Sequence, residues 1–279
     1  MTSRRRSRRN FLVTASVAWA TAPFVTRLAY AAPKEDWIEL YDGKSLKGWH
    51  TNPQKIGHGT GGNWQVEDGA ITGEQDPPGS GNGGILLTDR KFGDFELLID
   101  LKPDWGICSG LFLRSNDQGQ CFQMMVDYHD AGNVGHLYGE GLGGFTMRAF
   151  DIDGKYGDDQ KLVGFVGNKE ITAAAAGLVS SCTAEKWIKA WKINDWNTAR
   201  VRVEGKYPKI STWINDLAIC VFDGANAKVE RDGRETYDRE KVVAQLGTVG
   251  SIAVQVHGGG NWPKGAKCRW KNIKIKPLG

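Results

Sequence analysis

The sequence holds only five cysteines, Cys108, Cys121, Cys182, Cys220 and Cys268, and no two stand in CxxC spacing. That spacing argues against a zinc module. Long apolar runs are scarce as well. The one near the N-terminus is shorter than the ~20 residues of a membrane span and is broken by Pro23 and Arg27. No repeat of fixed period and no low-complexity linker divides the chain. Helical candidates are few, the clearest being GRETYDREKVVAQLG, residues 233 to 247, with Val242, Val243 and Leu246 at helical spacing.

A true excess of basic charge is also missing. The formal net charge of +4 includes a leader-like N-terminus. Residues 1–31 combine a basic start, an apolar run and the small-residue pattern Ala29-Tyr30-Ala31. Ser7-Arg8-Arg9-Asn10-Phe11-Leu12 fits the twin-arginine export pattern, so the expected location is periplasmic or secreted. Cleavage would remove six arginines and no acid, leaving 30 basic against 32 acidic residues. Such a chain offers no charge-based reason to bind nucleic acid or a membrane surface. A twin-arginine substrate folds before export, in a reducing compartment, which weighs against the two disulfides that five cysteines would allow.

What is present is short alternating apolar segments between Asx and Gly turns. ELYDGKSLKGW, NWQVEDGAITG, FELLIDLKP, SGLFLRSNDQG, ARVRVEG, KISTWIND and SIAVQVHGGG all read as strands. Residues 32–279 therefore predict one all-β sandwich domain with few short helices. The stretch 147–195 has no sustained period and reads as a lid or binding loop, or as a further hairpin.

The polar residues concentrate in QMMVDYHDAGNVGHLYGEGLGGF, residues 123–145. With Asp130–Asn133 as a hairpin loop, Asp127 opposes His136, Met125 opposes Tyr138, and Gln123 opposes Glu140. A preceding hairpin with its loop at Asn116–Gly119 opposes Arg114 to Cys121 and Phe112 to Gln123 and assigns the same faces. In SIAVQVHGGGNW, Gln255 and His257 point opposite to Ile252, Val254 and Val256, and the following glycines would let a ligand approach. An Asp hydrogen-bonded to a His holds its tautomer and raises its basicity.

Several blocks carry a family resemblance. Ile38 to Trp49 (IELYDGKSLKGW) is similar to an "LFDGKSLDGW" start, and Trp64 to Ile71 (WQVEDGAI) to "WxVEDGxI". Phe92 to Leu97 resembles "YxDFEL", and Ser109 to Ser115 resembles "SGIFLRS". Asp195-Trp196-Asn197, His257-Gly258-Gly259 and Trp270 to Ile275 are similar to "EWN", "HGG" and "FRNIRIK". In this order they resemble the bacterial 3-keto-disaccharide hydrolase family, formerly a domain of unknown function. The chain departs where the family has "EVQILD" and here reads Phe122 to Asp127, and where Trp213 to Asp216 replaces "WxNG".

The resemblance implies a concanavalin A-like jelly roll that cleaves glycosides already oxidised to a ketone at carbon 3. Its carbohydrate chemistry needs a base, an oxyanion stabiliser and an acid. On that basis His136, oriented by Asp127, is the expected base, Arg114 the enolate stabiliser, and Glu140 or His257 the acid. Gln123, Tyr138, Gln255, His257 and Trp262 are the expected sugar contacts. A divalent cation could replace or assist Arg114, with His136, Glu140 and His257 supplying ligands. Two other readings compete. A non-catalytic carbohydrate-binding module would use Trp105, Tyr138 and Trp262. A retaining glucanase needs two carboxylates ~5 Å apart, and no acidic pair on this face has suitable spacing.

Overall fold

The computed structural model describes residues 36–231, 234–260 and 262–279, so the expected leader lies outside the described residues. In chain order the strands are β1 (Ile38–Glu39), β2 (Trp49–Thr51), β3 (Asn63–Glu67), β4 (Ala70–Glu74), β5 (Gly84–Phe92), β6 (Phe95–Pro103), β7 (Ile107–Ser115), β8 (Cys121–Tyr128), β9 (Asn133–Glu140) and β10 (Thr146–Met147). They continue as β11 (Asp151–Tyr156), β12 (Leu162–Asn168), β13 (Ser180–Ser181), β14 (Asn197–Glu204), β15 (Lys209–Ile214), β16 (Leu217–Asp223), β17 (Glu230–Arg231), β18 (Arg234–Glu235), β19 (Gly250–Val256) and β20 (Cys268–Pro277). Helices α1 (Ala184–Ala190) and α2 (Arg239–Leu246) are both short. Neither is long and apolar enough to cross a membrane.

Two antiparallel sheets form a concanavalin A-like jelly-roll sandwich. The nine-stranded sheet runs β13-β16-β15-β14-β6-β20-β4-β3 with β1 added on β20, and the seven-stranded sheet runs β10-β9-β8-β7-β19-β5-β2. Alternation explains the first. In β6, Phe95, Leu97, Ile99 and Leu101 are fully buried and the residues between them are only partly covered. These side chains meet Leu111, Phe122, Met124, Val126, Ile252 and Val254 of the seven-stranded sheet in one apolar core. The nine-stranded sheet's other face is polar: Arg200 and Arg202 reach Glu96 at 3.3 and 3.5 Å.

The seven-stranded sheet is buried on both sides. Its face turned away from the core carries Ile85, Leu87, Phe112, Cys121 and Ala253, which cluster with Ile56 from the segment after β2. Asn52 fixes that segment as a strap. Its Oδ1 accepts from Ile85 N (3.0 Å), and its Nδ2 donates to Gln54 O (2.8 Å) and Gly59 O (3.2 Å). Burial on both faces is why β7, β8 and β19 read as nearly continuous apolar runs.

Of the helix expected at 233–247, the described part is shorter: Arg234–Glu235 form strand β18 and α2 covers Arg239–Leu246, capped by Asp238 and ended at Gly247 with φ 69°. The stretch 147–195 is the hairpin β11–β12, then edge strand β13 and α1, rather than an unstructured lid. Asn215 and Asp216, at φ 48° and 66°, carry the β15–β16 turn, a left-handed pair that Asx residues tolerate. All five cysteines are free.

Register decides which predicted residues meet. The β7–β8 hairpin pairs Phe112 with Gln123 as expected. The β8–β9 hairpin differs: Asp127 pairs with Asn133 and Val126 with Val134, then a bulge slips the ladder so that Gln123 faces Tyr138 and Cys121 faces Glu140. Gly135, at φ 104°, occupies the bulge; a Cβ there would lie 3.1 Å from Ile219 on the opposing sheet. The bulge returns Tyr138 and Glu140 to the face of Gln123 but turns His136 off it.

Candidate functional site

The outer face of the seven-stranded sheet gathers polar and titratable side chains in a row. Asp127 stands at one end of the β8–β9 ladder and Glu140 at the other. At the Asp127 end, the thiol of Cys108 donates to Asp127 Oδ1 at 3.1 Å across the β7–β8 pair. Burial raises the Asp127 pKa, against the opposing charges of His129, His257 and Arg148. His257 begins the loop after β19, and its backbone N–H donates to Cys108 O at 3.2 Å. Its ring Nδ1 lies against the Gly258 carbonyl; that oxygen can only accept, so the proton sits on Nδ1 and Nε2 keeps its lone pair.

At the Glu140 end the strap delivers His58. Its Nε2 is 3.5 Å from Glu140 Oε1, and its ring packs edge-on against His257 with centroids 5.2 Å apart. Burial, helped by the nearby charge of His257, pushes the His58 pKa down to about 4. Burial raises the Glu140 pKa, with His257 opposing and Asp127 adding to the rise. At neutral pH the His58 imidazole is therefore uncharged, so its contact with Glu140 is not a pair of full charges.

Amides line the floor between the two ends. Gln123 Nε2 donates to Gln255 Oε1 at 3.0 Å and to Ser109 O at 3.3 Å. Gln255 Nε2 lies 3.2 Å from His58 Nδ1. Gly110 makes this packing possible, since a Cβ there would fall 2.0 Å from Gln123 Nε2. Tyr138, half-buried, shares this face opposite Gln123.

Asp127, Glu140, Gln123, Gln255, Tyr138 and His257 thus converge on one face, as the alternation predicts. Three expected members do not. His136 is fully buried on the other side, with Nε2 2.8 Å from Ser181 Oγ of β13 and Nδ1 3.2 Å from Asn133 Oδ1. Burial pushes its pKa down to about 3. The Asp127–His136 pair and the cation set of His136, Glu140 and His257 are consequently not assembled, because of the bulge at Gly135. Arg114 adopts φ 53°, leaves the ladder and ties two turns together, bonding Gly93 O (2.8 Å), Gly205 O (2.9 Å) and Asp94 Oδ1 (2.5 Å). Trp262 lies in the core with its Nε1 donating to Ala266 O at 2.8 Å, so its ring presents no sugar platform.

The sequence reading missed His58 and Cys108 as site members. One weak signal existed: His58 is one of only five histidines and sits in the glycine-rich run GHGTGG.

Fold and face together define a jelly-roll sandwich whose outer sheet face carries a desolvated row of acids, imidazoles and amides. The chain belongs to the family of 3-keto-alpha-glucoside-1,2-lyase-like domains, whose sequence pattern matches residues 36–276. No curated protein sequence matches it. Among solved structures it is similar to two candidate glycosyl hydrolases from Parabacteroides distasonis. One shares 18% identity over 87% of this chain and 99% of that one, at a TM-score of 0.49. The other shares 17% over 87% and 94%, at 0.48. A lichenase from a mouse hindgut metagenome aligns at 11% identity over 87% and 98%, at 0.44.

Proposed function

We propose that the protein cleaves glycosides whose sugar carries a ketone at carbon 3, by base-initiated elimination. The observation that carries this reading is Glu140, whose carboxyl pKa burial raises, set beside His58, whose pKa burial lowers to about 4, on the face that His257 also lines. Separated acid and base on one desolvated face suit proton transfer at two neighbouring sugar atoms.

In this mechanism His257 Nε2 removes the proton from carbon 2, which the adjacent ketone acidifies. The electron pair forms an enolate, which restores the ketone, creates a carbon 1–carbon 2 double bond and expels the oxygen at carbon 1. Glu140 gives its proton to that departing oxygen. Addition of water across the double bond would complete a net hydrolysis. Asp127, whose charge His257 feels, supports the imidazolium that forms. Gln123, Gln255 and Tyr138 position the sugar, and His58 keeps Glu140 in place.

The test uses a chromogenic 3-keto-glucoside beside its unoxidised parent. Only the oxidised compound should be cleaved, and Glu140→Gln and His257→Asn should each lower kcat by ~10²–10⁴-fold. Wild-type rates in both variants, or equal cleavage of the parent, would overturn the reading. Saturable sugar binding without turnover would mark a carbohydrate-binding module instead. A retaining glucanase fits poorly, because its carboxylates must stand ~5 Å apart while Asp127 and Glu140 occupy opposite ends of the ladder.

We also propose export through the twin-arginine route, supported by Ser7 to Leu12 and the Ala29-Tyr30-Ala31 pattern. The exported protein should begin at Ala32, and Arg8→Lys with Arg9→Lys should retain the precursor inside the cell. Unchanged export of that double variant would contradict it.

A further inference from the structure

We propose that Cys108, Asp127 and His129 form a binding site for one thiophilic divalent cation of the zinc or cobalt kind. Each offers one ligand atom, and these atoms all lie within 4.8 Å of one another. Zinc holds sulfur at ~2.3 Å and nitrogen or oxygen at ~2.0–2.2 Å. A tetrahedral ion would therefore set such ligands ~3.4–3.8 Å apart, within about 1 Å of the present spread. Cys108 and Asp127 are directly paired on β7 and β8, so two of the three ligands are held by rigid, neighbouring strands.

Two further features fit an ion. The Cys108 thiol points its proton at Asp127 Oδ1, 3.1 Å away, so that proton stands between the sulfur and oxygen that a cation would bridge. On binding, the proton leaves to solvent and the sulfur electron pair turns to the metal. Independently, His129 Nδ1 lies 2.8 Å from the Asp130 carbonyl, which can only accept; the proton is thus on Nδ1 and Nε2 is left as a donor of electrons. A metal-binding histidine commonly has this arrangement, its second nitrogen bonded to a backbone carbonyl. The mixed sulfur, nitrogen and oxygen set favours zinc or cobalt over magnesium or calcium.

Three protein ligands would leave a fourth position open, as in sites that take a substrate oxygen. The site adjoins His257, whose N–H bonds Cys108 O. A cation here would place positive charge where the enolate oxygen develops, a role Arg114 cannot fill from the opposite end of β7, where it bonds Asp94. That catalytic use rests on the elimination reading above; the binding site does not.

The experiment titrates cobalt into the full, chelator-treated protein. One equivalent should bind with a sulfur-to-cobalt charge-transfer band in the near ultraviolet, displaced by zinc. Cys108→Ser should lose the band and weaken binding at least tenfold. His129→Asn should weaken binding similarly while retaining the band, and it serves if Cys108→Ser fails to keep the wild-type circular dichroism. No saturable binding, one equivalent without the band, or unchanged affinity in His129→Asn would overturn the site. Cobalt binding without turnover of the 3-keto-glucoside would leave the site standing and remove the elimination reading. Turnover that survives chelation, with no cobalt bound, would do the reverse.

Discussion

His136 shows how far one side chain's surroundings can separate its chemistry from its residue type. Sealed between the sheets, it accepts from Ser181 and donates to Asn133, and burial pushes its pKa down to about 3. An unfolded histidine binds its proton near pH 6.5. Between pH 6.5 and 3 the unfolded chain therefore holds the extra proton, so stability is intact above that window and falls as pH drops through it. The slope due to this residue is up to ~1.4 kcal/mol per pH unit. His136→Gln should flatten the pH dependence of urea-unfolding free energy by about one proton in that window. An unchanged slope would mean that the native ring takes up its proton like an unfolded one.

At the scale of elements, the strap after β2 completes the site. Asn52 holds it by three hydrogen bonds, and Ile56 and His58 then cover the outer face of β5, β7 and β19. Asn52→Ala removes the acceptor of the buried Ile85 N–H, a loss of ~1–3 kcal/mol. It should speed amide hydrogen exchange across 52–61 far more than in β6, and lower turnover by releasing His58. Uniform exchange protection would show that the strap stands without Asn52. The β9 bulge is the other element that matters. Gly135→Val should cost ~1–3 kcal/mol, since φ 104° and the contact with Ile219 both oppose a side chain. Denaturant melts would detect a smaller cost as a ladder that relaxes its bulge.

These elements also mark what could be read in advance. Alternation in FELLIDLKP and ARVRVEG leads directly to β6 and β14, because each has one core face and one charged face. It also led to the shared face of Gln123, Asp127, Tyr138 and Glu140. The hairpin register was not legible. A loop at His129–Gly132 and a bulge at Gly135 look no different in sequence from a four-residue loop one position later. Arg114 escaped the pattern for a similar reason, since a single left-handed residue breaks period-two alternation without any apolar signal.

For the whole molecule, stability rests on the contact between the sheets. Phe95 is fully buried in that core. Phe95→Ala should cost ~3–5 kcal/mol. For a chain of this size that amounts to a Tm drop of about 10 °C, readable by calorimetry. A loss below ~1 kcal/mol would mean that the core collapses around the gap.

The family blocks from Ile38 to Ile275, the all-β character and the choice of polar strands were determined by sequence alone, because they depend on local period and turn chemistry. Only the tertiary structure decided which histidines belong to the site. His58 arrives from a strap far along the chain, His257 from the end of β19, and His136 leaves through a bulge. Such placements depend on register and long-range burial, which local patterns in the chain do not encode.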